Sequence, residues 1–156
     1  MNQEIKPTYV TFEQSQWLKD KGFDVKCKNY YLERDKELHE GFDHEYWGDY
    51  RCVNWNADVI GIKPFDGFSS APEQWQIIEW LRVNHGIWVY VTQKIDWGKT
   101  LDSIPTFVNN TWEFYIDKVN SFQKNGLTVH FENNFHNSPQ EAYSAAFDYI
   151  KDNGLI

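Results

Sequence analysis

The densest group of side chains able to do acid–base or metal chemistry is the stretch HEGFDHEYWGD at 39–49. His39 and Asp43 lie four residues apart, and so do the next glutamate and His44, which is a spacing that metal ligands use on a helix. Gly41 lies inside the stretch and weakens any helix. The order of residues also differs from the HExxH pattern of metalloproteases. We therefore expect a solvated acidic loop without a bound metal.

Other catalytic patterns are missing from the sequence. It contains no nucleophile elbow, no phosphate-binding glycine loop and no CxxC pair. Two cysteines, Cys27 and Cys52, are too few for a secreted disulfide framework. His85 precedes a predicted helix end, where a cation is favourable for structural reasons. The sequence thus favours a non-enzymatic protein without a cofactor, and the alternative is a small hydrolytic or metal-dependent enzyme that uses the His39–Glu45 cluster.

Aromatic residues in predicted loops are the second chemical signal. The chain is 18% aromatic, and we expect some of these rings to lie outside the core. Rings among polar residues are typical of hot spots in protein interfaces. A small satellite core beneath a long loop is the alternative, and stacking on a sugar or base is a third interpretation. The predicted partner-binding residues are Tyr46, Trp47, Tyr50, Trp55 and Trp97.

The charge balance narrows the class of partner. The net charge is -8, and the isoelectric point is about 5.0. Nucleic acids and anionic membranes both attract clustered Lys and Arg, so neither is an expected partner. Mimicry of nucleic acid is disfavoured because the carboxylates are spread along the chain. Since the N-terminus has no signal-peptide core and no segment is long enough to span a bilayer, we expect a cytoplasmic protein with a protein partner.

Three helices are predicted from their ends. Each begins at a Ser or Thr with Glu or Gln three residues later, which is the capping-box pattern. Each ends at a glycine followed by an apolar residue, which predicts a left-handed φ at the glycine. The predicted caps are Thr11, Ser70 and Ser138, and the predicted terminal glycines are Gly22, Gly86 and Gly154. The apolar stripe of the second helix is predicted to contain Trp75, Ile78, Leu81 and His85, and Ile77 widens it.

Strand patterns complete the fold prediction. The residues at 111–119 alternate between apolar and polar side chains, and 87–93 and 127–132 are rich in strand-forming residues. These three runs predict an antiparallel meander. The fold class is therefore α+β, an antiparallel sheet (the C-terminal meander) with about three helices packed on one face. We expect a single domain, 1–156, with a variable insert at about 33–68. The predicted long loops are Arg34–Asp49, Lys63–Ser69 and Ile95–Asn110.

Four segments carry a resemblance to known sequences. They are TFEQSQWLKDKGFDVKCKNYY, APEQWQIIEWLRVNHGIWVYV, WEFYI and SPQEAYSAAFDYIKDNGLI. Together they resemble a group of small proteins encoded by gut-type bacteria, their phages and their mobile elements, over most of the chain except Glu33–Phe68. The resemblance brings no catalytic residues with it. It implies an accessory protein of a phage or mobile element that binds another protein, a host factor among the candidates. A structural or self-associating domain is the other interpretation.

Overall fold

The computed structural model describes residues 7–44, 48–49, 51–57, 67–96, 106–118, 127–130 and 135–156. Over these residues the chain has three helices and eight strands, so the predicted α+β class is confirmed. The helices are α1 (Phe12–Asp20), α2 (Gln74–His85) and α3 (Pro139–Asp152). The strands are β1 (Asn29–Leu32), β2 (Leu38–Glu40), β3 (Asp43–His44), β4 (Gly48–Asp49), β5 (Phe68–Ala71), β6 (Ile87–Asp96), β7 (Thr106–Lys118) and β8 (Leu127–His130).

The chain divides into two compact units. The first contains Met1–Trp80 and Ile156, and the second contains Leu81–Leu155. The first unit holds the antiparallel sheet β2-β1-β5, and the second holds the antiparallel sheet β6-β7-β8, which is the predicted meander. Helix α1 packs on β5, whereas α3 packs on β6 and β7. Helices α1 and α3 therefore pack on two different sheets. The expectation of one domain with an insert at 33–68 stays a prediction.

Hydrogen-bonded serines join α1 to β5 in the first unit. Ser15 is fully buried, and its Oγ lies 2.6 Å from the Oγ of Ser69 and donates to the carbonyl of Ser70 at 2.8 Å. Helix α1 begins at Thr11 with both halves of the predicted capping box. Its buried face includes Leu18 beside Ser15, so an apolar contact and a polar contact lie on the same side of the helix.

Helix α2 does not begin at the predicted cap. Ser70 is buried in β5, where its Oγ accepts a hydrogen bond from the backbone N–H of Trp55. The helix starts at Gln74, and Gln76 Oε1 accepts from the backbone N–H of Glu73 at 2.9 Å. Ser70 and Glu73 thus have the residue types and the spacing of a capping box. Ser70 nevertheless lies in a strand, because its hydroxyl and its backbone are used there.

The glycine ends of the helices are confirmed. Gly22, Gly86 and Gly154 have φ values of +79°, +63° and +58°. At Gly22 and Gly154 an added Cβ would meet no atom within 4 Å, so the preference for glycine there comes from the backbone angle and not from crowding.

The predicted stripe of α2 is buried in part. Trp75 is 61% exposed, and its indole N–H donates to Glu73 Oε2 at 2.7 Å. The fully buried positions Ile77 and Leu81 both belong to the predicted stripe, and Trp80 is buried as well, so the prediction is confirmed at Ile77 and Leu81 and wrong at Trp75. Periodicity includes Trp75 because it shows which positions share a face and does not show how far the covered area extends.

Helix α3 covers one face of the sheet in the second unit. Ile87, Val89, Phe114 and Ile116 are buried on the face where α3 packs. Along β6 and β7 these residues alternate with side chains that point to the opposite face. In α3 the contact is made by small and large apolar residues, which are Ala142, Ala146, Phe147 and Ile150. In the part of the chain that the structure describes, no helix has the length and apolarity needed to cross a membrane.

Candidate functional site

Trp55 lies in the core and not on an exposed binding surface. Its side chain is 5% exposed, and its indole N–H donates to the carbonyl of Cys27 at 3.0 Å. Its ring lies 4.1 Å from the ring of Tyr30 and 5.8 Å from that of Phe68, measured between centroids. The prediction of Trp55 as a partner-binding residue is therefore corrected, because its polar atom and its ring are both used inside the protein. The satellite-core interpretation holds for this residue.

The other predicted partner-binding residues are Tyr46, Trp47, Tyr50 and Trp97. All four lie outside the residues that the structure describes. The hypothesis that they form an interface stays a prediction.

The structure gives His39 a carboxylate neighbour. Its Nε2 lies 3.3 Å from Oδ1 of Asp35, and its ring stacks on Tyr30 at 5.4 Å. The backbone N–H of Glu37 is the main cause that lowers the pKa of Asp35, and His39 adds to the effect. This is an exposed pair without a neighbouring nucleophile among the described side chains, so its geometry explains the loop conformation and indicates no reaction.

The structure does not test whether the metal candidates His39, Asp43 and His44 come together. Asp43 and His44 form β3, which pairs with β4 through the backbone, and their side chains lie outside the part of the chain that the structure describes. Among the side chains that are described, no group of three or more His, Cys, Asp and Glu residues gathers as a metal site would require. The expectation of no bound metal at His39, Asp43 and His44 stays a prediction.

The face of the β6-β7-β8 sheet opposite α3 is the most distinctive described surface. We call it the outer face, and define it by Trp88, Tyr90, Thr92, Glu113, Tyr115 and Asp117. Alternation along each strand places these residues on one side, and the register pairs Trp88 with Asp117, Tyr90 with Tyr115 and Thr92 with Glu113. Trp88 is 37% exposed and Tyr90 is 46% exposed. Exposed large rings side by side on a sheet are typical of a recognition surface.

The rings of the outer face are aligned. Trp88 and Tyr90 lie almost parallel, at 8° between planes and 6.4 Å between centroids. The guanidinium carbon of Arg82 lies 5.2 Å from the centroid of Trp88, which is cation–π distance. The protein therefore already stacks one of its own cations on this aromatic pair.

Two carboxylates flank the central pair of tyrosines. The hydroxyl of Tyr115 donates to Glu113 Oε1 at 2.7 Å. Burial, with the hydrogen bond and the charge of Glu113, raises the pKa of Tyr115 to about 12, so its phenol stays neutral at physiological pH. On the other side, Asp117 Oδ1 is shielded from solvent and accepts no hydrogen bond from any described residue. The outer face thus combines exposed rings with two carboxylates, of which Glu113 is bonded to a phenol and Asp117 has one oxygen buried.

Sequence reasoning missed the outer face although its signal was present. The run IWVYVTQ at 87–93 predicts a strand, and its alternation separates Ile87, Val89 and Val91 from Trp88 and Tyr90. The second set is aromatic and lies on the sheet face opposite α3, where none of the described helices packs. Aromatic residues opposite the covered face of a sheet are a signal for a surface site.

Comparison of this chain with protein-family models, with curated proteins and with solved structures found no match in any of the three.

Proposed function

We propose that this protein is a non-enzymatic binding protein whose outer face docks a basic surface of another protein. The single observation that carries the proposal is the exposed, parallel pair of Trp88 and Tyr90 on an uncovered sheet face. Large rings of this kind contribute most of the affinity in protein interfaces because they bury much apolar area with few rotatable bonds.

Charge complementarity supports a basic partner. The chain has a net charge of -8, and Glu113 and Asp117 lie among the rings of the outer face. A Lys or Arg side chain of the partner can stack on a ring and also reach a carboxylate. Arg82 over Trp88 is an internal example of the first of these contacts. The same charges disfavour a nucleic acid as the occupant, because like charges repel.

The two kinds of group have different effects on binding. Truncation of a central aromatic anchor costs about 2 kcal/mol or more, whereas a change of carboxylate at the rim acts mainly on the association rate and its salt dependence. Rings and carboxylates can therefore be tested separately on the same surface.

The resemblance adds a biological setting to the proposal. It supports an accessory role for a phage or mobile element, in the cytoplasm, with a host protein as the candidate partner. Genes adjacent to this one test that setting: neighbouring anti-defence genes favour an inhibitor of a host protein, and neighbouring capsid genes favour a structural role.

The direct experiment compares capture of proteins from a host-type bacterial lysate by three immobilised chains. These are the natural chain, the Trp88→Ala/Tyr90→Ala chain and the Trp75→Ala chain. Trp75 is a matched control because it is an exposed tryptophan outside the outer face. We expect a basic protein that is retained by the natural chain and by the control, and whose affinity for the double variant is about 30-fold weaker, which is about 2 kcal/mol.

The same comparison contains its refutation. Each chain is first checked by its thermal unfolding temperature, so that loss of capture is not loss of fold. Equal capture by the natural chain and the folded double variant would overturn the outer face as the docking surface. Capture lost instead on Trp47→Ala/Tyr50→Ala would move the interface to the segment that the sequence predicted.

A further inference from the structure

Strand β6 lies at one edge of its sheet. It is ten residues long, Ile87–Asp96, and in the sheet order β6-β7-β8 it pairs with β7 on one side only. An edge strand presents backbone N–H and C=O groups that can pair with another strand. The direction of each group decides what this edge can accept.

The opposite side of β7 fixes that direction. Trp112 and His136 exchange two backbone hydrogen bonds, both of 2.9 Å, so the N–H and C=O of Trp112 point away from β6. Gln93 is the β6 residue opposite Trp112. Because antiparallel pairs alternate between bonded and non-bonded, Gln93 belongs to a non-bonded pair, and its own N–H and C=O point outward from the sheet. By the same alternation Ile87, Val89 and Val91 also present their backbone groups outward.

Among the described residues no other strand pairs with these outward groups. No described backbone group bonds to the N–H or C=O of Ile87, Val89, Val91 or Gln93 on that side, and the one side-chain contact is from the hydroxyl of Thr92 to the carbonyl of Gln93, at 3.4 Å. The segment Ile87–Gln93 also has no charged side chain. Proteins usually guard an exposed edge with charges, with proline or with a bulge. The first charge on β6 is Lys94, whose ammonium lies 3.5 Å from the ring centroid of Phe135.

We propose that the edge of β6 pairs with β6 of a second copy of this chain, antiparallel and with the two-fold axis at Tyr90. In this register Ile87 faces Gln93 of the copy and Val89 faces Val91, so all four outward-pointing residues are bonded at once. An axis at Val89 would place Gln93 opposite His85, which lies in α2 and not in the strand. An axis at Val91 would place Ile87 opposite Ile95, beyond the bulge in β6.

The side chains agree with the same register. Residues that face each other in this register point to the same side of the sheet. The outer faces of the two copies therefore lie on one side of the joined sheet, and the faces covered by α3 lie on the other. On the inner side Val89 meets Val91 of the copy, and on the outer side Tyr90 meets its own equivalent in a non-bonded pair, where side chains are closest. No like charges face each other within the segment, which suits an identical partner.

Loss of one backbone N–H tests the edge. Val91→Pro removes the backbone N–H that points outward and leaves the hydrogen bonds between β6 and β7 intact. The folded chain should tolerate this change, because proline occurs at such positions of edge strands. Val91→Ala is the matched control, since it removes side-chain contacts and keeps the N–H. By sedimentation velocity at micromolar concentration we expect dimers for the natural chain and for Val91→Ala, and monomers for Val91→Pro with native circular dichroism.

Cysteine cross-linking tests the register. In a Cys52→Ser background, diamide oxidises two adjacent thiols to a disulfide and is itself reduced to the hydrazine. Two copies of Tyr90→Cys meet at the axis within disulfide distance. Two copies of Trp88→Cys are separated by four residues along the strands, about 13 Å, and cannot be bridged. We expect a cross-linked dimer from the Tyr90→Cys chain and none from the Trp88→Cys chain.

Three results would overturn the inference. A natural chain that is monomeric at 100 micromolar, a folded Val91→Pro chain that remains dimeric, or cross-linking of Trp88→Cys in place of Tyr90→Cys would each exclude this pairing. None of these results bears on the proposed function, because a monomer that loses its partner on Trp88→Ala/Tyr90→Ala still docks through the outer face.

Discussion

Replacement of Trp55 by alanine distinguishes a core residue from a binding residue. The indole is 5% exposed, it packs against Tyr30 and Phe68, and its N–H bonds to the carbonyl of Cys27. Removal of a ring buried in this way costs about 3–5 kcal/mol. Because small domains have about 5–15 kcal/mol of stability in total, we expect Trp55→Ala to be only marginally folded at 37 °C.

The magnitude can be divided with a second variant. Trp55→Phe keeps most of the ring and removes the indole donor, while the carbonyl of Cys27 still accepts from the backbone N–H of Val53 at 3.3 Å, so the lost hydrogen bond costs about 0.5–1.5 kcal/mol. Urea unfolding followed by far-ultraviolet circular dichroism gives the free energy of each chain without relying on tryptophan emission. Trp75→Ala is the control, because its side chain is 61% exposed and its loss should change the free energy by less than about 0.5 kcal/mol.

The result that would refute this reasoning is specific. If Trp55→Ala unfolds with a free energy within 1 kcal/mol of the natural chain and loses its protein partner, Trp55 is a surface anchor. The argument from burial would then be wrong, and the interface predicted from the sequence would regain this residue.

Three further predictions follow from single residues. Gly22→Ala should destabilise by about 1–2 kcal/mol in urea unfolding, because φ is +79° there and the added Cβ meets nothing, and Gly22→Asn should cost less since Asn tolerates this angle. A thiol-reactive dye should label the exposed Cys52 in the folded protein and label Cys27 only on unfolding, because burial raises the pKa of Cys27 to about 12; equal rates for both would contradict its burial. The unfolded chain ionises Tyr115 near its ordinary pKa of 10.0 and the folded chain near 12, so stability is complete below pH 10 and falls as the pH rises towards 12. Tyr115→Phe should lessen that fall in urea titrations at pH 9 and pH 11, and an unchanged slope would show that folding does not raise the pKa of this phenol.

The parts of the fold that were predictable depend on neighbouring residues. The helix ends could be predicted because a left-handed φ depends on the residue type at that one position. The glycines concerned are Gly22, Gly86 and Gly154. The meander could be predicted because strand alternation is visible within a few residues and its connections join successive strands.

The pairing of strands that are far apart in the sequence could not be predicted from local patterns. Strand β1 pairs with β5 with Asn29 opposite Ala71, and nothing in either short segment identifies the other. For the same reason Ser70 was assigned to a helix cap, since a Ser with a Glu three residues later fits both a cap and a buried strand. Strand β2 falls within the predicted loop Arg34–Asp49 because three residues are too few for a pattern.

The same distinction between local and long-range information applies to the candidate site. Trp55 has the same sequence surroundings as an exposed ring, and only its contact with residues far along the chain shows that it is buried. Trp88 and Tyr90 were predictable in principle, because a sheet with helices on one face leaves the other set of alternating residues outside.

The buried hydroxyls between α1 and β5 limit how this helix can move. Apolar contacts alone have little directionality, so the packing of Leu18 specifies the position of α1 on its sheet less sharply than hydrogen bonds do. Ser15 must meet both the hydroxyl of Ser69 and the carbonyl of Ser70, and a shift by one residue would break both bonds inside the core. These hydrogen-bonded serines thus add little net stability and favour a single docked position of α1 on β5. A Ser15→Ala chain should accordingly keep most of its stability while the amides of α1 exchange with solvent more freely.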